Sequence, residues 1–528
     1  MQPFRSPVKM KILLAVILLS FSENVCQAAR ILGVFPHIGK SHYIMFEPVM
    51  KALAHRGHEV TVITQFPLKN PPQNMKIIDV SHTSNISYVN AIPVDVVPAE
   101  ELNIFCVHEL ASMGLANCED VLSSQVIQDL IKSNQKFDVV FYEIFNADCF
   151  LGFIHRFNAI SIAMSSSSFM PWATPRFGLP DNPSYIANHF SSFSDVMNFW
   201  ERLWNSVHYV VSQVAFSLLA DGQNYQIAKK YFGDDLPPLS EIAKNTSAFF
   251  INTHFTLNQV RPYTPNVIEV GGIHIEPPGK MSKELQTFLD GAKEGVVYFS
   301  LGSTARGATL PAEKRDAFIE AFKGLPQKVL WKWEEDSIPN KPVNVMISKW
   351  VPQTAVLAHP NVKLFITHGG LMGTLEAVNY GIPMISIPLF GDQFQNVAMA
   401  VRRGIAVKLG LGDITHESVT NALNTVLTSK YLEQAKRVSQ EFHDRPQKPL
   451  ETVLYWTDYV LRHKGAPHLQ SYAAKMPLAQ YLLLDVIAVL SIVPLLTVTT
   501  SILLICCFFR RKKTEQSSKK TKHKQKHS

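Results

Sequence analysis

Trp350-Val-Pro-Gln353, Phe365-Ile-Thr-His-Gly-Gly-Leu-Met-Gly-Thr-Leu-Glu376, Gly381-Ile-Pro383 and Pro388-Leu-Phe-Gly-Asp392-Gln393 follow one another within 44 residues. Leu364 to Thr367 reads as a buried strand, and the residues after the paired glycines open a helix. Glycines at a strand-to-helix turn let the backbone approach a ligand. The helix N-terminus then offers unpaired N–H groups to phosphate. The pattern is not GxGxxG, which disfavours a dinucleotide oxidoreductase. Trp350 adds an aromatic plane and Gln353 a polar amide, suited to a base and a ribose.

Outward from this stretch, strand-like runs recur at Val296 to Ser300, Lys328 to Trp333, Val343 to Ser348 and Met384 to Ile387, with a helical run at Ala312 to Phe322. A loop-rich joint, Gly271-Gly272 and Pro277-Pro278-Gly279, precedes them. Before it, Arg30 to Phe35 is a strand, Met45 to His55 has helical spacing stopped at Gly57, and Glu59 to Thr64 is a strand. Strand, helix, strand is the unit of a parallel sheet. Phe137 to Phe141, Ala159 to Met164 and Ala248 to Asn252 continue it. The expected class is α/β: two doubly wound halves in tandem with a cleft between them. Asn188 to Leu219 is rich in aromatic residues and reads either as a core helix or as one facing a membrane or an acceptor.

Both ends read as targeting segments. Lys9 and Lys11, the apolar run Ile12 to Leu19 and the small residues Ala28 and Ala29 form a secretory signal peptide. Val486 to Phe509 is 24 residues without a charge. As a helix it spans roughly 36 Å, enough for a bilayer core, and Pro494 is expected to kink it. Arg510 to Lys513 follow at once and keep that end cytoplasmic, so the body is expected in the lumen. The tail from Arg510 holds nine Lys/Arg and one acid, Glu515, so the rest of the chain is close to neutral despite a net charge of +7. The high pI therefore gives no ground for nucleic-acid binding. Lys524 and Lys526 stand where a dilysine retrieval signal of the endoplasmic reticulum would. The expected division is 1–29 signal peptide, 30–275 first domain, 276–445 second domain, 446–480 returning helices and linker, 481–509 transmembrane helix and 510–528 cytoplasmic tail.

Of six cysteines, only Cys106, Cys118 and Cys149 lie in the body outside the signal peptide and the span. One bridge at most is allowed, with Cys106–Cys118 the expected pair. No Cys/His spacing suggests zinc. Asn85-Ile-Ser87 and Asn245-Thr-Ser247 are glycosylation sequons, reachable only in the lumen.

The run from Trp350 to Gln393, with its GIPM and PLFGDQ spacings, strongly resembles the signature of the UDP-glycosyltransferase family. The resemblance covers nearly the whole chain, and Asp148-Cys149-Phe150 looks most like the arthropod branch. It implies a GT-B fold: two Rossmann-like domains plus one C-terminal transmembrane helix, with the acceptor held by the first domain and a UDP-sugar by the second. It further implies that Trp350 stacks on uracil with Gln353 nearby, and that Glu376 holds the ribose. Ser303, His368, Gly370 and the helix start at Gly373 and Thr374 would hold the diphosphate. Asp392 and Gln393 would hold the sugar. Met372 stands where many animal relatives have Asn, and that role is not carried over.

Transfer to a hydroxyl needs a base, and histidine suits neutral pH. His37 and His42 both follow the first strand. The family places its base at the start of the first helix, which is His42. A second group should hold its ring and stabilise its charge. The family uses Asp at the strand end, but here the strand runs into Glu143; Asp148 is the alternative. Asp138 reads as a structural turn. The expected reaction is an inverting displacement without a metal, because protein donors neutralise the diphosphate. No cofactor is bound permanently. UDP-glucose is the favoured co-substrate and UDP-glucuronate the alternative, with a small lipophilic alcohol or phenol as acceptor. The membrane is a partner, nucleic acid is not, and homo-oligomerisation is left open. Two readings compete with an enzyme. A non-catalytic UDP-sugar-binding membrane protein draws support from the missing Asp and from Met372. A structural or receptor-like membrane protein leaves the polar signature unexplained.

Overall fold

Six residues, Arg30–Phe35, form β1, and every side chain after Arg30 is buried. Burial of both faces is the mark of a parallel strand covered by helices. The computed structural model describes residues 28–84, 89–97 and 106–525. The body of the expected signal peptide, the first sequon at Asn85 and Lys526 lie outside the described residues. The chain divides after Ser471 into two units.

The first unit contains both halves. β1 is joined by β2 (Glu59–Thr64), β3 (Met75–Asp79), β4 (Val139–Glu143), β5 (Ile160–Ser165), β6 (Ala248–Ile251) and β7 (Val267–Glu269). They form one sheet in the order β3-β2-β1-β4-β5-β6-β7, parallel throughout. A second parallel sheet holds β8 (Val296–Ser300), β9 (Lys328–Lys332), β10 (Val345–Ser348), β11 (Val362–Thr367), β12 (Met384–Ser386) and β13 (Ala406–Lys408), in the order β10-β9-β8-β11-β12-β13. Strand order reverses between β1 and β4 in one sheet and between β8 and β11 in the other. Ligand crevices form beyond the carboxyl ends of strands at such reversals.

The strand expected at Phe137 begins two residues later, at Val139, and so ends on Glu143. β3, β7 and β13 were not legible; two of them are three residues long, too short for periodicity to register. α1 (Lys40–His55) starts five residues before the expected run, because Gly39 and the turn before it already set its direction. A returning helix, Pro449–Arg462, places Val453 and Val460 in the core of the first half, and Arg56 pairs with its buried Asp458 at 2.6 Å.

α2 (Cys106–Ser123) overturns the expected Cys106–Cys118 bridge. Twelve residues of helix separate those cysteines by roughly 18 Å, far beyond the reach of a disulfide. Cys118 instead bonds Cys149, with their Cα atoms 6.1 Å apart, and Cys106 keeps its thiol outside any disulfide.

α3 (Phe199–Phe216) is set by a capping box between Asn198 and Glu201. The core-helix reading fails on its outer face, where Phe199, Trp200, Leu203, Trp204 and Val210 are exposed. Its inner face buries Asn205 and Ser212, and Phe216 stacks on Trp172 with centroids 3.8 Å apart.

In the second unit, a helix from Leu484 to Gln525 is long and apolar enough to cross a membrane. It begins three residues after the expected start and continues through Pro494.

Non-reducing peptide mapping is expected to recover Cys118 linked to Cys149 and Cys106 in alkylated form. A Cys106–Cys118 peptide would contradict the helix.

Candidate active site

β1 ends at Phe35, and the chain turns through Pro36–Gly39 into α1, whose third residue is His42. β4 lies beside β1 in register, Val34 opposite Tyr142, so Glu143 emerges at the same level. Nδ1 of His42 lies 2.5 Å from Oε1 of Glu143. β5, the next strand, ends at Ser165, and the hydroxyl of Ser166 lies 2.9 Å from the same Nδ1 and donates to Glu143 at 3.1 Å. Three adjacent strands therefore deliver one cluster. With a proton on Nδ1 facing the carboxylate, Nε2 of His42 keeps its lone pair.

His37 is not at the carboxylate. Its ring stacks on His42 with centroids 4.1 Å apart, and its Nδ1 accepts the Gly39 amide at 2.9 Å. His37, His42 and Glu143 bring ligand-type atoms within 4.8 Å of one another, but the Nδ1 atoms already serve Gly39 and Glu143, a hydrogen-bonding arrangement.

Asp148, the alternative partner for His42, is elsewhere. It follows the strand in a short helical turn and takes a two-point ion pair from Arg176, one arm at 3.0 Å. Both side chains are nearly buried, so Asp148 is engaged by Arg176, while Nδ1 of His42 faces Glu143. Asp138 accepts from the amide and guanidinium of Arg30 at 2.8 and 2.9 Å, a structural pairing at the strand start.

In the second sheet, β8 and β11 end together, Ser300 opposite Thr367. The turns after them place His368 between two glycines. A Cβ on Gly302 would lie 2.4 Å from the His368 ring and one on Gly370 2.5 Å away, so neither position admits a side chain. Burial, reinforced by Lys332, brings the His368 pKa down to about 4 despite the opposing pull of Asp392. The ring is neutral at pH 7, and its Nδ1 is buried without a partner among the described residues. Gly370 caps α4 (Leu371–Tyr380), whose first-turn amides open toward the same crevice. Thr374 returns its hydroxyl to the Gly370 carbonyl at 3.0 Å. Ser303 lies in the turn after β8, its carbonyl accepting the Asn90 amide at 2.7 Å.

Glu376 is buried on α4. It accepts from Gln353 at 2.5 Å and from Thr354 at 3.1 Å, while burial raises its pKa. A Cβ-free Gly373 leaves room for the Gln353 amide. His274 comes within 3.8 Å of Glu376, but burial brings its pKa down to about 4, so the approach is not an ion pair at neutral pH. Trp350 is half exposed, and Lys40 of α1 sits 5.1 Å from its ring centroid. Asp392 stands before α5 (Gln393–Arg402) and accepts from Asn396 at 2.8 Å. Gln393 turns its carbonyl to the amides of Leu389 and Phe390, which leaves its NH2 side for a ligand.

Contacts between the halves were missed from sequence. Gln395 donates to the Ala187 carbonyl at 2.8 Å and accepts from Ser168 at 3.2 Å. Lys332 reaches Asn90 at 2.9 Å. Ser166 also went unseen, because a run of four serines, Ser165 to Ser168, reads as a plain loop. Met372 packs against the core of the first half, its sulfur 3.3 Å from the Asn252 amide nitrogen.

The family pattern described as UDP-glucoronosyl and UDP-glucosyl transferase matches residues 30–521. UDP-glycosyltransferase UGT5 of Dactylopius coccus is 42% identical over 471 residues, covering 88% of this chain and 90% of that one. UDP-glucuronosyltransferase 1A9 of Mus musculus is 32% identical over 486 residues, with 89% and 90% covered. Among solved structures, a UDP-glucosyltransferase from Polygonum tinctorium superposes with a TM-score of 0.56 at 15% identity, over 82% of this chain and 99% of that one. At that identity the likeness speaks for the fold alone, two Rossmann-like domains of GT-B type.

Asp148→Asn leaves Arg176 charged and buried, and is expected to destabilise the protein by about 3 kcal/mol, read as a lowered urea or thermal midpoint in detergent. An unchanged midpoint would remove Asp148 from this structural role.

Proposed function

The chain belongs to the UDP-glucoronosyl and UDP-glucosyl transferase family, which makes it a UDP-glycosyltransferase, and we propose that it moves a hexose to a hydroxyl of a small lipophilic acceptor with inversion. Glucose is the preferred sugar and glucuronic acid the alternative. The observation that carries this reading is the His42–Glu143 contact at 2.5 Å, with the other ring nitrogen of His42 left as a base.

In the proposed step, Nε2 of His42 takes the acceptor's O–H proton as its oxygen attacks the anomeric carbon. The bond from that carbon to the UDP oxygen breaks, and the configuration inverts. Glu143 holds the ring and stabilises the imidazolium as it forms. Ser166, donating to Glu143, keeps the carboxylate aimed. UDP leaves with its negative charge directed at the N-terminus of α4, beside His368 and Ser303. Trp350 and Gln353 would take the uracil, Glu376 the ribose hydroxyls, and Asp392 and the NH2 of Gln393 the sugar. Glu376 suits its part: its buried carboxylate already accepts from two neighbours and has lone pairs left for hydroxyls.

The helix from Leu484 fits a single-pass anchor. The proposed setting is the endoplasmic-reticulum membrane, with the body luminal and the basic tail cytoplasmic. Asn245 of the second sequon is exposed, so a luminal body would leave it open to glycosylation.

His42→Ala is expected to lower transfer from UDP-glucose to a phenol by about 10²- to 10⁴-fold, while UDP binding stays within twofold. Wild-type turnover in that variant would refute the assignment of the base.

A further inference from the structure

His274 is a buried histidine on the joint between the halves, and the proposed transfer step does not use it. The residues on either side of it are anchored in different cores. Ile273 is buried in the core of the first half, and Ile275 packs against that of the second. The backbone just before is held as well. The Gly272 amide donates to Asn252 at 3.4 Å, and the Gly271 carbonyl accepts from Arg445 at 3.0 Å. A side chain between such anchors keeps a fixed place relative to both halves.

The contacts of the ring define its polarity. Nε2 lies 3.3 Å from the carbonyl oxygen of Met372, in the first turn of α4. A carbonyl only accepts, so Nε2 carries the proton. The same N–H end lies 3.8 Å from Oε1 of Glu376, one turn further along α4. Nδ1 is buried without a hydrogen-bond partner among the described residues. A second proton there would be a stranded donor, and burial accordingly brings the ring's pKa down to about 4. At pH 7 the ring is neutral. A charged ring would draw Glu376 into an ion pair and away from a ligand's hydroxyls. A neutral N–H, set beside Oε1 with Thr354, steadies the carboxylate and leaves it lone pairs to offer.

We infer that His274 is a positioning residue for the nucleotide: from the joint, its Nε2–H holds the first turn of α4 and the Glu376 carboxylate in place for the ribose hydroxyls. The inference rests on the proposed role of Glu376 and assigns what keeps that carboxylate aimed. His274 acts through Glu376 and touches no substrate.

The test is equilibrium dialysis of UDP and of 2′-deoxy-UDP against the full chain in detergent. The wild-type chain is expected to retain UDP about 30-fold more tightly, the scale of one hydrogen bond to a charged group. His274→Leu removes the N–H and is expected to lower that ratio to about threefold, chiefly by weakening UDP. His274→Gln, whose amide nitrogen can stand where Nε2 stands, is expected to restore it to within about twofold of the wild-type value. A ratio unchanged in His274→Leu, or equal weakening of both nucleotides, overturns the inference and leaves His274 a purely structural residue. Equal retention of the two nucleotides by the wild-type chain overturns the ribose role of Glu376 and the inference with it. If His274→Leu does not fold, His274→Phe, which keeps a ring and removes both nitrogens, is read in the same way. A ratio lowered by Leu and restored by Gln upholds the inference even if the wild-type chain transfers no sugar. Wild-type transfer with the ratio unchanged in His274→Leu upholds the reaction and sinks the inference.

Discussion

Nδ1 of His42 meets Glu143 at 2.5 Å, and much of the first half is arranged to keep the two together. The carboxylate is 7% exposed. Left without a partner there, it would cost several kcal/mol, so the ring and the acid hold each other in place. Neither residue could reach the other from a different register. β1 and β4 are neighbours because strand order reverses between them, and their parallel pairing brings both ends to one level. Ser166 comes from the next strand and shares its hydroxyl between the two. The placement of Nδ1 of His42 against Glu143 is therefore a consequence of sheet topology.

The second sheet repeats the device with other chemistry. Its reversal, between β8 and β11, gathers Ser303, His368 and the start of α4. His368 fits only because Gly302 and Gly370 lack side chains, and burial keeps its ring uncharged. The two crevices must then face each other at a fixed distance, since an ångström of misplacement is expensive in group transfer. Gln395, Lys332 and the Asn90–Ser303 backbone bond tie the halves together beside the crevices.

How much of this was legible follows sequence distance. The residues proposed to hold the UDP-sugar lie on one strand–turn–helix unit and its flanks, where spacing translates directly into geometry. His42 was legible for the same reason, standing at a turn between adjacent elements. Glu143 was legible as a strand end, though its contest with Asp148 was not decidable until Arg176, 28 residues on, claimed the aspartate. Cys149 was passed over in favour of the nearer Cys106, because closeness in sequence means separation along a helix. Ser166 and Gln395 carry no local pattern; Ser166 bonds residues 23 and 124 positions away, and Gln395 one more than 200 away.

Met372 shows the same rule from the other side. It sits inside the signature, where local reading expects a ligand contact, and its thioether cannot make an amide's hydrogen bonds. Its packing is against the core of the first half, with the Asn252 amide nitrogen 3.3 Å from its sulfur. The neighbouring backbone carbonyl accepts from His274 at 3.3 Å. A soft, unbranched side chain fills an irregular gap between two domains better than a planar amide would. The departure that supported a non-catalytic reading is thus accounted for by packing between the halves, while the polar residues around the crevice keep their positions. Which side chain suits a motif position depends on what stands opposite it, and here that is supplied by a segment 120 residues earlier.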